Sequence, residues 1–322
     1  YQSIPTQGAF DWEYFTIGSD HYLAEANYRN DSTHNINSKL YRWNGASFIE
    51  YQSIPTQGAL DWEYFTIGSD HYLAVANHHN DSTYNISSKL YRWNGASFIE
   101  YQSIPTQGAF DWEYFTIGSD HYLAVANWSN DSTRNINSKL YRWNGAIFIE
   151  YQSIPTQGAR DWEYFTIGSD HYLAVANYYN DSTRNISSKL YRWNGASFIE
   201  YQSIPTQGTF DWEYFTIGSD HYLAVVNWSN DSTHNISSKI YRNGKNRYEE
   251  SYQAGRQACI DDPISCGIPV GSPVQENIAT FDFTSNVLHI PNYENTYWLK
   301  FWLTSWDPVM LELQSFGDIG TD

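Results

Sequence analysis

The chain has 322 residues, 41% hydrophobic and 18% aromatic, with a formal charge of −18 at pH 7. So acidic a surface argues against nucleic acid or anionic membranes as partners, since both need cationic patches. No apolar run reaches the roughly 18 residues of a membrane-spanning helix. The abundance of Tyr, Trp and Phe suits pleated, half-buried strands rather than disorder.

Five copies of one 50-residue unit come first, with YQSIPTQGAFDWEYFTIGSDHYLA recurring at 1, 51, 101, 151 and 201. That period signals a solenoid, a propeller or an array. In the first copy, DWEYFTI (11–17) predicts a strand, and Gly18-Ser19-Asp20 a turn. HYLAEAN (21–27) alternates as a second strand, and the polar stretch Tyr28 to Ser38 is a loop. KLYRW (39–43) is the third strand, Asn44-Gly45 suits a type I′ hairpin, and SFIEYQSIPT (47–56) is the fourth, ended by Pro55 and Gln57-Gly58. Four antiparallel strands per unit are a propeller blade. The expected fold is therefore all-β: a β-propeller of five four-stranded antiparallel blades over residues 1–245, a linker at 246–277 and a small C-terminal β module at 278–322.

The fourth strand of each blade crosses the repeat boundary. Tyr1–Thr6 is then a fourth strand with no blade before it, while the fifth copy departs into NGKNRYEE and lacks its own. Tyr1–Thr6 could complete the fifth blade and close the ring. The same edges could instead pair between molecules and build a fibre.

The blocks SIPTQGAFDWEYF, GSDHYLAVAN and KLYRWNGASF resemble the epilepsy-associated repeat, or EPTP repeat. The resemblance implies a secreted or cell-surface propeller that binds other proteins, usually with seven blades where this sequence has five copies.

The copies differ at few positions. The tenth reads Phe10, Leu60, Phe110, Arg160, Phe210; the twenty-eighth Tyr28, His78, Trp128, Tyr178, Trp228. The twenty-ninth reads Arg29, His79, Ser129, Tyr179, Ser229; the thirty-fourth His34, Tyr84, Arg134, Arg184, His234. In a blade, the loop between strands two and three shares a face with the loop entering the next blade, so all four positions belong to one rim. Tyr, Trp and Arg dominate binding hot spots, and aromatic faces suit sugars and cations, so these residues are the candidate binding surface. Free variation of exposed loops is the competing explanation.

No unique catalytic constellation stands out. His21 recurs in every copy after an Asp, which points to a structural role, and G-x-S-x-G is absent. No enzyme, metal site or cofactor is expected; calcium is the one ion that the recurrent turn residues Asp20 and Asp31 could take. Trp12, Tyr14, Phe15, Tyr41 and Trp43 read as core between blades. Glu25 stands where the later copies have Val75, Val125, Val175 and Val225, so the first unit faces a different neighbour. Asn30, Asn80, Asn130, Asn180 and Asn230 head N-D-S glycosylation acceptors, and Asn85, Asn185 and Asn235 head N-I-S versions.

Cys259 and Cys266 are either a disulfide or two free thiols. IATFDF (278–283), VLHIP (287–291), TYWLKFWLTS (296–305) and VMLELQSF (309–316) read as strands, loosely similar to short β tails of bacterial secreted proteins. The functional expectation is an extracellular, non-catalytic binding or adhesion scaffold for a protein or glycan. The alternative is a structural protein that self-assembles into filaments or a surface layer.

Overall fold

A computed structural model describes residues 2–243 and the short strands at 280–282 and 287–289. The chain divides into two compact units, Tyr1–Arg242 and Asn243–Asp322. In the first unit β1 (Ala9–Ile17), β2 (Asp20–Asn27), β3 (Asn35–Trp43) and β4 (Phe48–Gln57) form an antiparallel meander. The pattern repeats in three further four-stranded sheets, the blades at 59–105, 109–157 and 159–205. The fifth sheet holds three strands, β17 (Thr209–Ile217), β18 (Asp220–Asn227) and β19 (Lys239–Arg242). In the second unit β20 (Thr280–Asp282) pairs with β21 (Val287–His289). The strands expected at 296–305 and 309–316, and both cysteines, lie outside the described residues.

Local chemistry sets each turn. Gly18, at φ +61°, opens the two-residue turn between β1 and β2. The hairpin after β3 departs from the expected type I′ turn, because only Gly45 has positive φ. Asn44 instead accepts the N–H groups of Ala46 and Ser47 on its Oδ1, at 2.9 Å each, which is an Asx turn.

Blades pack face to face. Phe15, Tyr22, Ala24, Leu40 and Ile54 of the first blade bury against Trp62, Leu73, Val75, Tyr91 and Phe98 of the second. The next two junctions repeat the set. Phe15 stacks on Tyr64 at 4.2 Å, a spacing kept at the next two junctions. Every blade thus has a leading face built round a Trp and a trailing face built round Phe, Tyr and small residues.

Among the described residues, the end faces of the first and last blades are less covered than the faces between blades. Trp12 is 39% exposed, whereas Trp62, Trp112 and Trp162 are each 2% exposed. On the trailing face of the fifth blade Ile240 is 67% exposed, whereas its counterpart Leu40 is fully buried. The expected closure of the ring by Tyr1–Thr6 is not formed among the described residues. Gln2 instead makes with the Phe48 backbone the paired hydrogen bonds that Gln52 makes with Phe98, and Gln7 N–H donates to Asn27 Oδ1 as Gln57 N–H does to Asn77. The segment lies against the first blade as an outer strand lies against the blade after it.

Glu25 sits on that leading face with no solvent-accessible surface. Tyr41 O–H donates to its Oε2 at 3.2 Å, while its Oε1 has no partner. Burial pushes its carboxyl above the usual range. Replacing Glu25 by the Val of the other copies removes an unsatisfied polar group, so Glu25→Val should raise stability by about 1–3 kcal/mol at pH 7. Trp62→Ala should cost about 3–5 kcal/mol and Trp12→Ala distinctly less. Urea unfolding of the three variants checks both expectations.

Candidate functional site: the acidic axis and the variable rim

The inner strand of each blade is a sheet edge whose outward N–H groups have no strand to pair with. Carboxylates of the preceding blade fill that role. Trp62 N–H donates to Asp11 Oδ2 at 3.3 Å, and the same bond joins Trp112 to Asp61, Trp162 to Asp111 and Trp212 to Asp161 at 2.9–3.0 Å. Two residues on, Tyr64 N–H donates to Glu13 Oε1 at 3.3 Å, followed by Tyr114 to Glu63, Tyr164 to Glu113 and Tyr214 to Glu163 at 2.8–3.0 Å. Side chains two apart share a face of a strand, so Asp and Glu form two rows about the axis.

These carboxylates repel one another. Burial first, and then the charges of Asp111 and Asp11, push Asp61 well above the usual range. Asp111, Asp161, Glu63 and Glu113 are pushed well up by burial and by neighbouring carboxylates. Glu13 and Glu163 are pushed up to about 7, chiefly by burial. Protons or cations would relieve this column.

A carboxyl whose folded pKa exceeds its unfolded value holds a proton that the unfolded chain has already lost. The stability it contributes is present below the unfolded value near 4 and is lost as pH rises through the folded one. Buried His78 is pushed down to about 3 by burial and then by the Arg160 charge, and has the opposite dependence below the ordinary His range. The carboxyl effect therefore stands clear above pH 6.5. The thermal midpoint should fall between pH 6.5 and 8.5, and Asp61→Asn with Asp111→Asn should flatten that slope while keeping the acceptor oxygens. An equally steep slope in the double variant would count against the column.

The variable residues gather at one mouth of the axis. Phe110 lies 5.8 Å edge-on from Phe10 and 6.4 Å edge-on from Phe210. Leu60 is buried, and Arg160 inserts its guanidinium 3.8 Å from the rings of Tyr178 and Phe210 and 4.6 Å from Phe110. Burial pushes Arg160 down to about 10, which leaves it charged at neutral pH. His78 and Tyr178 are buried, Tyr28 is half-buried, and Phe10 and Trp228 are 52% and 43% exposed.

Outside this plug, the thirty-fourth residue of one blade meets the twenty-ninth of the next. His34 meets His79 at 5.0 Å; Arg134 lies 5.2 Å from Tyr179 and 4.4 Å from Trp128 of its own blade. Tyr84 packs 5.2 Å from Trp128 and 4.5 Å from His79; Arg184 lies 5.5 Å from Tyr178, and His234 lies 4.6 Å from Trp228. Arg29 is exposed on the same loop. The result is a belt of rings and guanidinium groups in which no two junctions are alike.

Each junction is clasped by an Asp of the following loop. Asp81 takes hydrogen bonds from the Thr33 hydroxyl, His34 N–H and Asn35 Nδ2, and Asp131, Asp181 and Asp231 repeat the pattern. Gly58 shows why the loop approaches so closely. It sits at φ +57°, and a Cβ there would lie 2.9 Å from the His79 carbonyl, so only glycine fits. The calcium candidates are thus engaged in other contacts: Asp20 pairs with Arg42 at 2.6 Å, and the counterparts of Asp31 serve as clasps. The recurrent His21 takes a hydrogen bond with Tyr14 at 2.8 Å, as do its later counterparts with theirs. Asn30 Oδ1 accepts from Ser32 and Thr33 N–H, which caps the loop and leaves Nδ2, the atom a glycan would take.

The EPTP domain model matches residues 1–44, 47–94, 97–144, 147–194 and 197–242. The chain belongs to the EPTP repeat family. Among curated relatives of this EPTP chain, the human thrombospondin-type laminin G domain and EAR repeat-containing protein is 51% identical over 47 residues, 15% of this chain, and its mouse counterpart is 49% identical over 45. The chain spans 7% of the length of each. Solved structures that match include glycosidases. A β-xylosidase/α-arabinofuranosidase from a compost metagenome is 10% identical with a TM-score of 0.42, covering 73% of this chain and 90% of its own. An exo-β-1,3-galactanase from Phanerochaete chrysosporium is 10% identical with a TM-score of 0.47, covering 90% of this chain and 67% of its own. The sequence-based expectation that the chain is not an enzyme does not stand beside these neighbours. At that identity and TM-score the likeness brings neither an activity nor a substrate to this EPTP chain.

Proposed function

We propose that the propeller is an extracellular binding scaffold whose variable rim receives a protein or glycan partner. The observation that supports this reading is the belt itself. Five nearly identical copies diverge into Tyr, Trp, His and Arg at the positions that meet around one mouth, and those residue types dominate recognition surfaces. Its guanidinium groups and ring faces suit sugar hydroxyls, carboxylates and aromatic side chains. A glycan on Asn30 and its counterparts would crowd this rim, so the reading expects stronger binding by the unglycosylated protein.

A glycan array and a display library of secreted proteins supply the test. Binding should weaken about tenfold on Arg134→Ala or Tyr179→Ala, the scale of a hot-spot loss. It should persist in Ile147→Ser, which restores on the opposite face the residue of the other copies. Loss in Ile147→Ser alone would move the site off the rim.

One observation favours self-assembly as a second reading. The open leading face round Trp12 and the open trailing face round Ile240 are the two halves of the interface that joins blades inside the chain. A second copy docking head to tail would cover both. Sedimentation should then show concentration-dependent association that Ile240→Lys abolishes.

A further inference from the structure

The junction between the first two blades differs from the other three in chemistry, not only in side-chain size. It joins His34 of one blade to His79 and Asp81 of the next, and ligand atoms of all three lie within 4.8 Å of one another. Among the described residues no other trio of His, Cys, Asp or Glu comes so close. The later junctions place Tyr84 with Ser129, Arg134 with Tyr179, and Arg184 with Ser229 before the same clasping Asp. Two of those pairs bring a guanidinium, which repels a cation.

We propose that His34, His79 and Asp81 form a binding site for a divalent transition-metal ion of the zinc type. Two imidazoles and one carboxylate are the donor set such ions take, and three protein ligands leave a fourth position open to water or to a partner's side chain. Zinc ligands sit about 2.0–2.2 Å from the ion, which puts neighbouring ligand atoms about 3.4 Å apart in a tetrahedron. The three atoms lie within 4.8 Å of one another, so closing to that spacing takes shifts of about 1 Å.

The surroundings hold the ligands in place. Asp81 Oδ1 faces His34 Nδ1 at 2.5 Å and accepts His34 N–H at 2.8 Å. Its Oδ2 accepts from the Thr33 hydroxyl and from Asn35 Nδ2 at 2.9 Å, which orients the carboxylate as outer hydrogen bonds do in metal sites. His79 Nδ1 accepts Asp81 N–H at 3.1 Å, so that nitrogen is unprotonated, and its lone pair would turn from the N–H to the ion. None of this depends on the rim's serving as a partner surface.

The test titrates the tag-free full chain with Zn²⁺ by calorimetry and with Co²⁺ by visible absorption, in excess Ca²⁺ to occupy oxygen-only sites. One equivalent should bind, with the intense visible bands of four-coordinate cobalt. His34→Tyr and His79→Ser give this junction residues that the next one already carries, so the fold tolerates them. Each should weaken binding at least tenfold, while His234→Ala, the same loop position at the far end, should leave it unchanged. Absence of saturable binding in excess Ca²⁺ would overturn the site. So would binding that both junction variants retain, because the ion would then lie elsewhere.

Discussion

Everything in the propeller unit depends on how an unpaired strand edge is satisfied near an axis. Blades radiate, so the inner strand of one cannot pair with the inner strand of the next. Carboxylates at two alternate positions instead accept the N–H groups of the neighbouring Trp and Tyr, as Asp61 and Glu63 do for Trp112 and Tyr114. The bonds hold the leading-face Trp in register with the trailing face that buries it. The cost is electrostatic. Rows of acids form along half-buried inner edges and are driven towards their protonated forms.

The axis also explains why the copies could not remain identical. Residues at the tenth position converge on one mouth, and a point on the axis cannot be filled by five copies of one large side chain. Phe10, Phe110 and Phe210 meet edge to face, Leu60 is small, and Arg160 enters with its charge against three rings. This packing adds to the pattern of variation a constraint that loop exposure alone does not supply. The outer part of the belt, with Arg134 and Tyr179, has no such steric demand.

Much of this was legible from periodicity. Alternation in HYLAEAN, the turn residues Gly18 and Asn44, and the fourth strand crossing the repeat boundary all follow from local chemistry, and local chemistry is what a repeat states five times. What stayed hidden needs two blades at once. Asp11 and Glu13 look like ordinary surface acids until the edge N–H groups of the next blade are placed beside them. His34 and His79 lie 45 positions apart in different copies and become a pair only because Asp81 clasps the junction. Glu25 was visible as an exception to four valines, yet only its burial shows what the exception costs. The fifth sheet departs from the expected four strands where the repeat itself ends.

The clasp between blades is written in residues that every copy shares. Asp and Glu of any unit can serve the Trp and Tyr of any other, and Gln52 can hold Phe98 as Gln102 holds Phe148. A gene encoding such a chain can therefore gain or lose a whole 50-residue cassette by unequal recombination without breaking any of these shared junction contacts. Only the plug at the mouth keeps count of the blades. Unit number is in this sense a cheap variable for evolution, and the mouth is where each change in number has to be repaired.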